Sequence, residues 1–189
     1  MFIVGDGGGW TLSWEARELS DIARGLGISL VSNVDFRRFN DQCMFVFSRY
    51  FLLNDDWLQW RNQVALPYYH GMPGTGIVEF DRCYEALRKH HTRLDRIQVT
   101  HQTMKDVVLS TGIDPAKVFL IHIGINTRFF PYGDVTLQRA AREILDLPES
   151  AFVVGSFLKD GEGWEEGLHP KLIKGPDVLV EALSLAKSR

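Results

Sequence analysis

Short apolar runs alternate with amphipathic runs at helical spacing along nearly the whole chain, and this alternation restricts the fold more than any other feature. Phe2-Ile3-Val4 is a short apolar strand. The glycine-rich stretch Gly5–Gly9 follows, and then a helix from about Thr11 to Leu26 with Leu12, Ala16, Leu19, Ile22 and Ala23 on one face. Further strands are predicted at Ile28–Val31, Cys43–Phe47, Val64–Tyr69, Ile97–Thr100 and Val118–Ile121. Helices are predicted at about Phe80–His91, Gln102–Ser110 and Val135–Leu145. Strand–helix alternation of this kind specifies an α/β fold, a Rossmann-like parallel sheet with helices on both faces. The best domain boundary is at Pro148, with about six such units before it and one after.

Composition narrows the partners. The chain has 189 residues and a net charge of −3, so no broad basic face points to nucleic acid. Anionic ligands would have to be met by local lysines and backbone amides. Cys43 and Cys83 show neither a CxxC nor a metal-ligand spacing and read as reduced thiols. No apolar run is long enough for a transmembrane helix, and Asp6 with its glycines interrupts any signal-peptide pattern. The expectation is a cytoplasmic protein, with peripheral membrane contact left open.

In an open α/β sheet, ligands bind beyond the carboxyl ends of the strands. Four stretches belong there: Gly7–Gly9, Ser48–Arg49, His70–Gly76 and His122–Asn126. His70 is the most informative, because it ends the run Pro67-Tyr68-Tyr69 and enters a loop too rich in glycine and proline to be regular. Asn54 is the expected N-cap of a short helix in which Trp57 and Trp60 pack on one face. Thr100 is the expected cap of the helix that follows it. His90 and His91 read as solvated surface.

The last part of the chain repeats the pattern once. Ala151–Phe157 reads as a buried strand, and a loop with several glycines and the cations Lys159, Lys171 and Lys174 follows. Lys174-Gly175-Pro176-Asp177 then opens an amphipathic helix, with Pro176 in the first turn where its missing N–H is harmless. Strand, lysine loop and helix start form an anion-binding layout, because free N–H groups, the helix dipole and an ammonium group all favour phosphate.

Several of these stretches resemble the group 1 (family 4-like) glycosyltransferases with the GT-B fold. The closing stretch resembles the opening of that family's second domain. Leu66-Pro67-Tyr68-Tyr69-His70-Gly71 resembles a strand end whose histidine faces the donor sugar, and Gly7-Gly8-Gly9 resembles its first glycine loop. Ile121-His122-Ile123-Gly124-Ile125-Asn126 with Phe129-Phe130-Pro131 resembles the segment that ends its first domain, with His122 and Ile123 departing from the pattern. The resemblance implies a nucleotide-sugar donor, retention of configuration and no metal or other cofactor. Its acceptor is unspecified: a sugar, a lipid-linked sugar or a small molecule. His70 is the implied catalytic residue. Gly7, Gly8, Gly9, Lys159 and Lys174 are the implied donor- and phosphate-binding residues, Lys159 standing where the family has an arginine. No D-x-D is present, and no two glutamates show the family's E-x-x-x-x-x-x-x-E spacing. The expectation is therefore an acceptor-side domain, 1–148, with a linker and first strand–helix unit of an incomplete second domain, 149–189, inactive alone. The alternatives are another GT-B enzyme, an epimerase or a phosphorylase, or a non-catalytic Rossmann-like nucleotide-binding module.

Overall fold

A computed structural model describes residues 1–5, 11–30, 38–156 and 174–187. The chain divides into two compact units, Met1–Pro131 and Tyr132–Arg189. Gly7, Gly8, Gly9 and Lys159 lie outside the described residues.

The first unit is built on a five-stranded, all-parallel sheet in the order β1 (Phe2–Val4), β2 (Cys43–Val46), β3 (Gln63–Pro67), β4 (Arg96–Val99) and β5 (Val118–Leu120). The register pairs Phe2 with Met44, Phe45 with Ala65, Leu66 with Ile97 and Val99 with Leu120. Period-two alternation then divides the side chains between the faces. Val46, Val64, Leu66, Tyr68, Ile97 and Val99 join one core. That core is closed by α2 (Val78–His90) through Cys83 and Leu87, and by α3 (Gln102–Leu109) through Met104 and Val108. The opposite face is covered by α1 (Thr11–Gly25), so Tyr68 faces Cys83 while its neighbour Tyr69 faces Glu15. The sheet thus carries helices on both faces, as the alternation predicts. Pro67 causes no loss in the ladder, because β2 pairs no further than Ala65 and the next bond runs from Tyr68 N–H to the Gln98 carbonyl, 2.7 Å.

Three expectations about strands and caps fail. Residues 28–30 form no strand; instead the Met1 amine donates to the Ser29 carbonyl at 3.0 Å, so this segment meets the chain terminus without entering a ladder. Thr100 does not cap α3: His101 holds the cap position without a side-chain bond, and the Thr100 hydroxyl turns toward the Tyr69 carbonyl, 3.4 Å. Residues 151–156 are not extended into a sheet, and Phe152 is 93% exposed. Among the described residues no strand lies beside this run, and strand character comes from pairing as much as from composition.

The tryptophan segment is as expected in kind but tighter in form. Asn54 accepts from Asp56 N–H at 3.0 Å and caps a 3₁₀ turn, Asp55–Gln59, in which Trp57 is 1% exposed. His90 is not simply solvated, since its ring lies edge-on to Trp57 and 3.8 Å from Asp55.

In the second unit, α4 (Val135–Ile144) is capped by Asp134, whose carboxylate accepts from Leu137 N–H at 2.9 Å. Arg142 then donates to the carbonyls of Pro148 and Ala151 at 2.7 and 2.9 Å and pins the link beyond the helix. The last helix, α5 (Pro176–Lys187), begins as the sequence predicts. Leu179 N–H bonds the Gly175 carbonyl at 3.1 Å, which makes Gly175 the cap and Pro176 the first helical residue.

Candidate functional site at the carboxyl ends of the strands

His70 lies past the end of β3 and is exposed at the rim of the sheet. Its position is fixed from below. Arg49, two residues beyond Phe47, folds under the loop and donates from Nη1 to the His70 carbonyl and from Nη2 to the Tyr50 hydroxyl, 3.1 Å. Only 4% of Arg49 is exposed, and among the described residues no carboxylate pairs with it. Three aromatic rings shelter its charge instead, Phe80 at 4.6 Å, Tyr50 at 4.8 Å and Tyr68 at 5.7 Å. Phe80 also meets the His70 ring edge-on, with centroids 5.8 Å apart.

This arrangement explains the glycine after the histidine. Gly71 has φ +110, and a Cβ there would lie 3.0 Å from Arg49 Cζ. The loop then closes on α2 through Gly74 N–H and the Asp81 carboxylate, 2.7 Å. His70 is therefore an exposed imidazole on a rigid seat, which suits a group that must meet a ligand at a set angle. Beneath it, burial pushes the Tyr68 phenol up to about 12 despite the nearby Arg49 charge, and raises the Cys83 thiol as well. Cys83 is thereby a poor nucleophile.

On the other face, α1 and the segment after β5 enclose an open cleft of about 960 Å³. Trp14, Glu15 and Glu18 form one wall, Phe47, Tyr69 and Gln98 the floor, and residues 123–129 the far wall. The walls are tied together by Asn126, which donates to Glu18 at 2.8 Å, and by the edge-on contact of Trp14 and Phe129, 5.3 Å between centroids. Both Glu15 carboxylate oxygens are out of solvent, and among the described residues neither has a donor at hydrogen-bond geometry. Burial raises the Glu15 pKa, and interaction with the Tyr69 phenol offsets part of that rise. The same neighbourhood raises Tyr69, through burial first and the Glu15 charge second.

The structure thus places His70 where the strand pattern puts it. Lys174 is exposed immediately before α5 in the second compact unit. His122 turns its Nδ1 to the Thr100 carbonyl at 2.7 Å, which fits a structural part. Glu15 carries no role in the sequence reading, and Arg49 enters it only as part of the strand-end stretch Ser48–Arg49. The signal for Glu15 is its place between Leu12, Ala16 and Leu19 on the apolar stripe of α1, where a carboxylate is out of character. For Arg49 it is a charged residue directly after an apolar strand, with a glycine-rich strand end elsewhere to cover it.

Among the described residues no group of three His, Cys, Asp or Glu side chains could hold a metal ion, and no helix is long and apolar enough to cross a membrane. No protein-family model matches the chain, and no curated protein matches it.

Proposed function

We propose that this chain belongs to a glycosyltransferase that moves a sugar from a nucleotide-sugar to an acceptor, with retention of configuration and without a metal. The observation that supports the reading best is the exposed His70 on its rigid seat at the carboxyl end of β3, the edge of a parallel sheet where ligands collect. In this reading the imidazole of His70 orients the donor sugar. In the second unit, Lys174 beside the start of α5 is the proposed phosphate-binding group, a point charge near the favourable end of a helix. As the bond between sugar and phosphate breaks, negative charge grows on the leaving oxygen, where a phosphate-binding cation stabilises it more than in the ground state. The leaving phosphate takes the proton of the acceptor hydroxyl that attacks from the same side.

Calorimetric titration of the chain with UDP, GDP and their sugar conjugates tests this. At least one nucleotide-sugar should bind, and His70→Ala and Lys174→Ala should each weaken it about tenfold or more, the loss of one charge-assisted or orienting contact. Binding that neither variant disturbs would make the chain a nucleotide-binding module with its site elsewhere. Absence of binding by any of these ligands would remove the sugar-transfer reading.

A further inference from the structure

We propose that the free edge of the sheet, β5, is an interface at which a second copy of this chain pairs, strand against strand about a two-fold axis. The inference goes beyond the sugar-transfer reading and does not depend on it.

β5 is last in the strand order, and among the described residues nothing pairs with its outer side. The Ile121 N–H points inward, to the Val99 carbonyl at 2.8 Å. Neighbouring residues of a strand face opposite ways in the ladder, so the Leu120 N–H and carbonyl point outward. Such groups are a template for another strand, and proteins commonly guard them with lysine or proline. This edge lacks both guards. Val118–Asn126 holds no Asp, Glu, Lys, Arg or Pro. Lys117, just before the strand, turns its ammonium back to the Leu94 carbonyl at 2.6 Å. The nearby Arg96 guanidinium lies over the Phe119 ring, 5.6 Å from its centroid.

β5 has only three residues, so backbone bonds alone would not hold a dimer and apolar area has to do so. That area is present. Phe119, Ile121, Ile123 and Ile125 recur at every second position, and with Leu120 they are between 39% and 73% exposed. Side chains of this size offer on the order of 400 Å² of apolar surface together. A standard interface buries about 800 Å² per partner, a little over half of it apolar. The exposed row is of that size.

The absence of charge selects the occupant. A two-fold interface sets a surface against itself, so a patch of one sign would be repelled and a charge-free one is not. Antiparallel pairing about an axis at Leu120 lets the two Leu120 residues exchange N–H to carbonyl bonds. Each copy then covers the edge of the other, and the assembly closes at two.

Sedimentation velocity of the full chain between about 1 and 100 μM tests the proposal, the range in which a modest interface of this area forms. A monomer–dimer equilibrium is expected, with exchange of the Leu120 amide hydrogen slowed as the dimer fills. Leu120→Pro removes the outward donor and leaves the bonds to β4 in place, and it should weaken the dimer at least about tenfold. Phe119→Lys, at an exposed position where the fold is not at risk, should do the same and decides the matter if the proline variant unfolds. Phe152→Lys, on the exposed run outside the sheet, should leave the dimer unchanged. A monomer at every concentration overturns the proposal, as does an open series of larger species. Association that survives both β5 variants, or that Phe152→Lys abolishes, overturns it too.

Discussion

On the α2–α3 face of the sheet, Leu52, Val64, Leu66, Leu87 and Ile97 have no solvent exposure and join one continuous core. On the α1 face, Phe47 is buried, but Gln98 is only partly covered and Glu15 carries a shielded carboxylate whose bonding is incomplete among the described residues. The first face is finished with apolar groups that demand nothing further. The second leaves a cleft and an unmet acceptor. The contrast places the closed apolar core and the open cleft on different sides of the same strands, and Tyr68 and Tyr69, adjacent in sequence, divide between them.

The largest effect should come from cutting into the finished face. Leu66→Ala should lower the unfolding free energy by about 2–5 kcal/mol in a urea titration, through lost burial and a cavity. Trp14→Ala on the other face should lower it by less than about 1 kcal/mol. Equal losses would erase the distinction. Next in size is the seat of His70. Gly71→Ala forces a side chain into a positive-φ position against Arg49, and about 1–3 kcal/mol of stability should be lost in a thermal melt. Arg49→Lys should restore less than half of what Arg49→Ala removes, because an ammonium cannot reach both the His70 carbonyl and the Tyr50 hydroxyl.

A smaller effect sharpens the comparison through pH. The folded Glu15 pKa is raised, so the folded state holds this proton more tightly than the unfolded chain does. The stability it contributes is therefore present below the unfolded value, near 4.5, and is lost as pH rises through the folded one. Glu15→Gln should be the more stable form at pH 7, and its advantage should shrink as the pH is lowered toward about 4. Melts at a series of pH values check this; a constant difference would mean that Glu15 is no more buried than a surface acid. The smallest effect should be that of Asn126→Ala, about 0.5–1 kcal/mol for one bond to Glu18 at a half-buried site.

Much of this was legible in the sequence, and the misses have physical causes. The strands β1 to β5 and the helices α1 to α3 follow from apolar period and from Gly and Pro punctuation, because each meets the sheet its pattern anticipates; α4 and α5 follow from period and capping alone, with no buried residue in either. Ile28–Val31 and Ala151–Phe157 show the same pattern, yet their described parts form no strand. A run of Val and Phe announces a surface suited to a sheet, and only pairing turns it into a strand. At the site, His70 could be read because it follows a strand and precedes a glycine loop. Its support could not: Arg49 lies 21 positions away, and a contact between a guanidinium and a strand-end carbonyl leaves no local period. Glu15 was visible only as an anomaly on the α1 stripe.

The histidines offer the most direct test, because the exposed imidazole of residue 70 reports at the proposed point of contact. Proton spectra of the ring resonances, recorded as a nucleotide-sugar is added, should show His70 moving while His90, His91 and His101 stay in place, and the response should disappear in His70→Ala. A chain that binds the nucleotide-sugar with the His70 resonance unmoved, or that binds none, would contradict the account.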